Sequence, residues 1–294
     1  MKRLILLISM AGFLISCSES GWKDLLDEEL SHWRTYQSYA LTDEYVPFER
    51  PCDENGNPIE PIGYDVNLNN EFHVMELDGE KVLHITGKYY GCVFTKESYG
   101  NYHLKLKYKF GEDKFEPRLN KAYDSGLLYH SRGECGIDGW LTWMQSHELQ
   151  VIEGGTMDGN PGDYWPIAGN HADIRSEGRT FGTFGRYKYI PEADFNTIGA
   201  NGTSGVCAVS GDYGSPHGEW TEVELICFED KAIHIVNGTV VLVLENSAWW
   251  DGEKDIPLTE GRIQLQSEAA EVYYKDVMIR KIKELPEELM RHFN

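Results

Sequence analysis

Strict alternation of apolar and polar residues is the feature that most constrains the fold of this chain. Within Tyr102–Phe110 every even-numbered residue is Tyr, Leu or Phe, and the residues between them are His103 and three lysines. Successive side chains of a strand point to opposite faces, so this pattern predicts a strand with one buried face. The same period recurs in residues 223–227 and 263–266, and a last strand is predicted over 272–282.

Turn chemistry and the scarcity of helical patterns indicate how these strands combine. Asn237-Gly238 separates Ile-His-Ile-Val at 233–236 from Thr-Val-Val-Leu at 239–242, and this pair favours a two-residue hairpin turn with positive φ at both positions. Short terminal helices are expected over residues 24–30 and 284–292 only. Many antiparallel strands with one apolar face, joined by Gly-rich turns, predict an all-β, two-sheet antiparallel sandwich. The stretch 154–218 is predicted to be irregular and to build a site on one face.

The first residues predict export and a lipid anchor. Lys2 and Arg3 precede an uncharged apolar run over residues 4–15, which is too short to span a bilayer stably. The run ends in Leu-Ile-Ser-Cys, the pattern of a lipoprotein signal, although an ordinary signal peptide beside a cysteine is the alternative. We expect a signal peptide over 1–16, a lipidated tether over 17–20 starting at Cys17, one domain over 21–283 and a tail over 284–294. The protein is then held in the bacterial cell envelope, facing the periplasm or the cell surface, with this lipid as its only membrane contact.

Charge and cysteine spacing exclude two classes of function. The net charge of −21 becomes two units more negative when the signal peptide is removed, which argues against nucleic acid as a partner. The five cysteines after Cys17 show no C-x-x-C spacing, so a zinc site is not expected. An exported chain permits a disulfide, but the sequence does not choose its partners.

The segment 147–155, His-Glu-Leu-Gln-Val-Ile-Glu-Gly-Gly, carries the densest chemical pattern. The adjacent apolar residues Val151 and Ile152 predict a β-bulge, which would turn Glu148, Gln150 and Glu153 to one face. Two carboxylates on a rigid strand suit glycosidic bond cleavage or proton transfer on a sugar. A solvated strand face is the alternative.

Aromatic residues near this segment favour a saccharide ligand, because flat rings stack on sugar rings. On a regular strand over 125–132, His130 and Arg132 share a face and are expected to enter the same cleft. His171 and Asp173 are a weaker alternative, as a metal pair. The aromatic residues concerned are Trp140, Trp143, Tyr164, Trp165, Trp249 and Trp250.

Several motifs, in order, resemble the 3-keto-disaccharide hydrolase family of 3-keto-glycoside 1,2-lyases and 3-keto-2-hydroxyglucal hydratases. They are Gly91–Lys96 with Tyr99–Leu104, Asp124–His130, Glu148–Gly154 with Gly162–Trp165, Gly218–Trp220, Val236–Gly238 and Gly261–Gln266. The resemblance covers roughly residues 21–283 and implies a concanavalin A-like jelly roll of the lectin and glucanase type. The E-x-Q-x-x-E strand also resembles the bulged E-x-D-x-x-E strand of β-glucanases. Gln150 replaces the central Asp, which argues against ordinary retaining hydrolysis.

The resemblance implies an enzyme that cleaves an oligosaccharide or glycoside carrying a ketone at C3, by 1,2-elimination, hydration or both. Glu148 and Glu153 are then expected to transfer protons, and no cofactor or metal is expected. A carbohydrate-binding lipoprotein without turnover and a conventional glycoside hydrolase are the rival interpretations. Substrate-binding residues are predicted to be His130, Arg132, Trp143, His147, Gln150, Asp163 and Trp165.

Overall fold

The computed structural model describes residues 21–40, 49–199 and 204–293, in which strands dominate. A four-residue helix, α1 (Glu287–Met290), and short 3-10 segments at Leu68–Asn70 and Arg291–Phe293 complete the regular structure. The strands are β1 (Lys23–Asp24), β2 (Trp33–Ala40), β3 (Gly63–Tyr64), β4 (Phe72–Leu77), β5 (Glu80–Ile85), β6 (Tyr89–Thr95), β7 (Tyr102–Lys114), β8 (Asp124–Arg132), β9 (Gln145–Ile152), β10 (Tyr164–Ile167), β11 (Asn170–Phe181), β12 (Phe184–Tyr189), β13 (Phe195–Ile198), β14 (Ser204–Ala208), β15 (Thr221–Phe228), β16 (Lys231–Val236), β17 (Thr239–Trp250), β18 (Asp255–Pro257), β19 (Arg262–Ser267) and β20 (Ala270–Lys281).

The strands form two packed sheets of a jelly-roll sandwich. Sheet I has the order β4-β5-β20-β7-β15-β16-β17, with β1 beside the last part of β20. Sheet II has the order β3-β2-β6-β19-β8-β9-β10-β14-β12. Strands β11 and β17 pair with each other and connect the two sheets at one edge, where β13 and β18 are added. The predicted fold class is confirmed.

The core lies between the sheets and follows the predicted alternation. The apolar side chains of β7 are buried against those of β15 and β20, with Leu104 opposite both Leu225 and Ile279. Sheet II contributes Leu127 from β8 and Leu149 and Val151 from β9 to the same core. The opposite face of β8 and β9 is therefore free to carry a site.

The Asn237-Gly238 turn forms as predicted. Val236 pairs with Thr239, and the two turn residues have φ values of 46° and 76°. Both values lie in the left-handed region that a type I′ turn requires.

The helix predicted over residues 24–30 is wrong. Lys23 and Asp24 form β1 instead, and the segment then turns with Leu25 and Leu26 buried. Asp24 and Asp27 accept hydrogen bonds from nearby backbone N–H groups, Asp27 Oδ1 from Ser31 N at 2.7 Å. Such local bonds compete with the helix for the same donors. At the other end, the helix predicted over 284–292 is reduced to α1 and the short 3-10 segment after it.

The stretch 154–218 was predicted to be irregular, and this prediction is wrong. The stretch contains five strands, β10 to β14. Residues 177–181 of β11 are exposed on both faces, so their sequence carries no alternating apolar pattern. No helix in the described part of the chain is long and apolar enough to cross a membrane. The predicted signal peptide, Cys17 and the tether lie outside the described residues.

Candidate active site

A cavity of about 320 Å³ opens on the face of sheet II that points away from the core. Its floor is polar, and its walls are aromatic. Trp140 and Trp143 come from loop 133–144, which connects β8 to β9, and Trp165 and Phe184 come from β10 and β12. The polar groups are Arg118, Asp124, Glu148, Gln150, Gln266 and Glu268, with Lys121 and Asp158 beside them.

Glu148 faces this cavity because β9 alternates regularly. Leu149 and Val151 point into the core, so Glu148 and Gln150 point outward. The Glu148 side chain is 4% exposed and has no hydrogen bond or ion pair among the described residues. Burial, with the negative charges of Glu268 and Asp124 nearby, raises the pKa of Glu148 well above its usual value.

Gly126 makes room for this carboxyl group. A Cβ atom at Gly126 would collide with Glu148 Oε1 and Gln266 Oε1, so both oxygens lie over the same point of β8. Gln266 Oε1 is buried and accepts no hydrogen bond from any described residue. Gln266 Oε1 needs a donor, and the nearby Glu148 carboxyl group can act as one only in its protonated form.

Arg118 bridges the other two carboxylates of the floor. Its Nη2 atom lies 2.5 Å from Asp124 Oδ2 and also forms an ion pair with Glu268 Oε1. Burial opposes the charge of Arg118, but the two carboxylates outweigh burial and raise the pKa of Arg118. Three carboxyl groups surround one guanidinium, and Glu148 is the one without a cation partner. Burial also raises the pKa of Asp124, but the direct contact with Arg118 opposes that rise, whereas no cation contacts Glu148.

Loop contacts bring Arg118 to this position. Arg118 N donates to Phe115 O at 2.8 Å, and Phe115 N donates to Ala269 O at 2.9 Å. Since Ala269 follows Glu268 directly, these bonds hold the loop after β7 against the end of β19. On the opposite side of Asp124, Gln150 Nε2 donates to Asp124 Oδ1.

The structure brings four of the predicted site residues together: Trp143, Glu148, Gln150 and Trp165. Sequence reasoning missed Arg118, Asp124 and Glu268. Glu268 is two residues beyond Gln266 and four beyond Gln264, so it lies on the same face if the strand is extended. Extending the predicted strand by two residues could therefore have identified Glu268. Arg118 lies in a loop, where no periodicity marks it.

The bulge predicted at Val151–Ile152 is wrong, and Glu153 does not enter the cavity. Pairing between β8 and β9 is unbroken from Asp124 opposite Ile152 to Tyr129 opposite His147. Ile152 therefore faces outward, on the same side as Glu148. Gly159, in the loop after β9, lies close to its side chain, so this loop buries Ile152. Two adjacent apolar residues here reflect burial on both faces. Glu153 Oε1 instead lies 3.1 Å from His217 Nδ1.

His130 and Arg132 do not reach this cavity either. The irregularity of β8 lies between Tyr129 and Arg132, and His130 has a φ of 49°. His130 is buried, its Nδ1 bonds to Leu258 O at 3.1 Å, and burial lowers its pKa to about 4. Arg132 lines a separate cavity of about 530 Å³, where its guanidinium stacks 3.3 Å from the centre of the Trp249 ring. The predicted shared face fails because positive φ interrupts the alternation.

His147 and Asp163 have internal partners. His147 points into the core, where its Nδ1 is 2.9 Å from Tyr164 Oη and its Nε2 is 2.6 Å from Ser247 Oγ. Burial lowers the pKa of His147. Asp163 accepts hydrogen bonds from Val209 N and Asn160 N, which closes the loop before β10. Burial raises the pKa of Asp163 to about 6.

His171 and Asp173, the alternative metal pair, contact other polar side chains. His171 Nε2 lies 3.2 Å from Asp255 Oδ1, and Asp173 accepts hydrogen bonds from Thr197 and Asn246. No cluster of three His, Cys, Asp or Glu residues capable of holding a metal ion occurs in the described part of the chain.

Solved structures with low similarity to this chain include three carbohydrate-related proteins. A provisionally assigned glycosyl hydrolase from Parabacteroides distasonis is 16% identical, with 89% of this chain and 99% of that chain covered and a TM-score of 0.47. A Bacteroides ovatus GH16 protein in complex with a product is 10% identical, with coverages of 89% and 99% and a TM-score of 0.44. The carbohydrate-binding module CBM66 from Bacillus subtilis is 8% identical, with coverages of 71% and 92% and a TM-score of 0.41. No curated protein matches the chain.

A family model supplies the assignment. The model of the 3-keto-alpha-glucoside-1,2-lyase-like domain matches residues 21–280. This span includes every strand from β1 to β19 and nearly all of β20. It also confirms the resemblance found in the sequence motifs. The chain belongs to the 3-keto-alpha-glucoside-1,2-lyase-like domain family.

Proposed function

We propose that this carbohydrate-active, glycosyl hydrolase-like domain cleaves 3-keto-glycosides by 1,2-elimination, followed by hydration. The observation that carries the proposal is the unpaired, buried Glu148 carboxyl group beside carboxylates that Arg118 holds. The description of its family supports the choice of substrate.

The chemistry follows from the ketone at C3. The ketone acidifies the C2–H bond, so a carboxylate base can take the C2 proton and leave an enolate. The electrons then form the C1–C2 double bond as the C1–O bond breaks, and an acid protonates the departing oxygen. Water adds its hydroxyl to C1 and a proton to C2, which gives the free 3-keto sugar. The site must therefore supply a base, an acid and positive charge near the enolate oxygen.

The cavity contains a group for each of these roles. Glu148, which burial keeps protonated, is the acid for the glycosidic oxygen. Glu268 is the base, because Arg118 contacts its Oε1 and leaves the other oxygen without a partner among the described residues. Arg118 supplies positive charge to the enolate. Glu153 was predicted to share the proton transfers, but its position beside His217 leads us to assign the second role to Glu268.

The aromatic walls and the size of the cavity suit a sugar. Trp140 and Trp143 of loop 133–144 line the space together with Trp165 and Phe184. Flat aromatic faces bind the apolar face of a pyranose ring. A volume of about 320 Å³ lies at the small end of ligand sites, which fits one or two sugar rings.

The test is a pair of glycosides that differ only in oxidation at C3. We expect the purified protein to release the aglycone from the 3-keto compound and not from the ordinary glycoside. In D₂O the sugar product should carry deuterium at C2, because elimination and rehydration exchange that position. Release from the ordinary glycoside would indicate a conventional hydrolase. Binding of both compounds without release would indicate a binding protein.

We also propose that Cys17 carries a lipid that holds the domain in the cell envelope. The support is the charged start, the apolar run and the Leu-Ile-Ser-Cys tetrad of the sequence. A labelled fatty acid should be incorporated into the wild-type protein and not into Cys17→Ser. An unlabelled wild-type protein would reject the proposal.

A further inference from the structure

Two buried thiols meet between sheet II and loop 133–144. Cys92 lies on β6, Cys135 lies near the start of the loop, and their Sγ atoms are 4.0 Å apart. Both are free thiols in this structure, and Cys92 Sγ also lies 3.3 Å from Gln264 Oε1. The two residues are 43 positions apart in the sequence, so a bond between them would join distant segments.

The far end of the loop is attached to the same strand. Trp143 Nε1 donates to Gly91 O at 3.2 Å, and Gly91 is the neighbour of Cys92. Between the two ends, Asp138 accepts backbone N–H bonds from Trp140, Thr142 and Trp143. The loop is thus a closed unit whose position on β6 sets the position of the tryptophans in the cavity.

We infer that Cys92 and Cys135 form a disulfide that fastens loop 133–144 to β6 and fixes the Trp140 and Trp143 wall of the cavity. An S–S bond is about 2.05 Å long, so the sulfur atoms must approach by about 2 Å. The sequence permitted a disulfide without choosing partners, and the contact between these sulfurs chooses them.

The oxidant is a disulfide, either a small molecule or a protein. Cys135 is 9% exposed and Cys92 is fully buried, so the oxidant reaches Cys135 first. The Cys135 thiolate attacks the oxidant, forms a mixed disulfide and releases one thiol. The Cys92 thiolate then attacks Cys135 Sγ and releases the second thiol. The two cysteines lose two protons and two electrons, and the oxidant becomes two thiols.

Peptide mapping tests the bond directly. The full-length protein is treated with oxidised or reduced glutathione, denatured, alkylated with N-ethylmaleimide and digested. We expect a linked peptide pair containing Cys92 and Cys135, two hydrogen atoms lighter than the separate peptides, only in the oxidised sample. Cys52→Ser, which changes an exposed thiol, is the matched control and should leave the linked pair unchanged. Equal alkylation of Cys92 and Cys135 in both samples, or glutathione on Cys135 alone, overturns the inference.

Two further measurements follow the consequences of the bond. The oxidised protein should melt about 5–10 °C above the reduced protein, and Cys135→Ser should lose this difference.

The effect on the cavity rests on the proposed function. Reduction should raise KM for a 3-keto glycoside about 3–10-fold with kcat nearly unchanged, because the aromatic wall binds the sugar. An unchanged KM would refute the role of the bond in the cavity. Absence of turnover alongside the linked peptides would refute the proposed reaction and leave the disulfide established.

Discussion

Gln150 Nε2 donates a hydrogen bond to Asp124 Oδ1 across the floor of the cavity, and it also lies 3.3 Å from Ser125 O. The amide therefore faces two acceptors, whereas a carboxylate at this position would face them without a proton to donate. The same Asp124 is held by Arg118 from its other oxygen. The amide at position 150 thus completes the hydrogen bonding of Asp124 without adding another carboxyl group to the site.

Gln150→Glu should destabilise the protein more at pH 7 than at pH 5. At pH 7 the new carboxylate opposes Asp124 and leaves two acceptors face to face, which costs about 1–3 kcal/mol. At pH 5 the new group, whose pKa is raised by burial and by Asp124, takes up a proton and can donate again. Urea denaturation at both pH values measures the difference. Equal losses at the two pH values would show that position 150 is open to solvent or differently paired.

Gly238→Val should cost about 1–3 kcal/mol of stability through the backbone alone. Gly238 has a φ of 76°, and nothing lies within 4 Å of a Cβ placed there, so no clash contributes. Gly238→Asn is the matched control and should cost less, because Asn tolerates the left-handed region. Thermal denaturation of the three proteins gives the order. A valine variant as stable as the asparagine variant would contradict the turn geometry.

Buried histidines should make the protein sensitive to acid. Burial lowers the pKa of His234 to about 4, and its ring bonds to Tyr129 Oη and Gly162 O in the core. Between pH 6.5 and 4 the unfolded chain binds a proton at this residue that the folded chain does not. Stability is therefore lost as pH falls through this window, with a slope of up to about 1.4 kcal/mol per pH unit from His234.

His234→Asn removes this titration and keeps a donor for Gly162 O. The variant is expected to be less stable than the wild type at pH 7, but its stability should fall less steeply between pH 6.5 and 4. Denaturant titrations at several pH values compare the slopes. Equal slopes of stability against pH for the two proteins would mean that His234 takes up its proton as readily in the folded as in the unfolded chain.

Regular alternation made half of the site predictable. Leu149 and Val151 are core residues, so Glu148 and Gln150 follow on the outward face, and the sequence alone gives both. The same rule failed at Ile152, because the loop after β9 covers an outward side chain and makes it resemble an inward one. Periodicity reports which face is buried only where one face is open to solvent.

The remaining residues depend on contacts between distant segments. Arg118 enters the site because Phe115 bonds to Ala269, a pairing that no local pattern encodes. The positive φ of His130 turns Arg132 away from the site, and nothing in the local sequence marks that position. The second half of β11 was missed for a related reason: residues 177–181 are exposed on both faces and have no apolar face to alternate.

Glu148→Gln and Glu153→Gln form the matched pair that tests the site most sharply. Both replace a carboxyl group by an amide of the same size; Glu148 lies within β9, and Glu153 directly follows the strand. Glu148 is buried in the cavity, whereas Glu153 contacts His217 outside it. We expect Glu148→Gln to lower kcat/KM for a 3-keto glycoside by roughly 10²–10⁴-fold and Glu153→Gln to change it by less than about twofold.

The pH profile separates loss of an acid from loss of packing. Burial raises the pKa of Glu148, and the reaction needs its protonated form, so wild-type activity should fall as pH rises through that pKa. The residual activity of Glu148→Gln should lack this alkaline limb, while Glu153→Gln keeps it. An equal loss of kcat/KM in both variants would show that Glu153 takes part in the reaction. It would reject Glu268 as the second proton-transfer residue. Full activity in Glu148→Gln would remove the chemical basis of the proposed function.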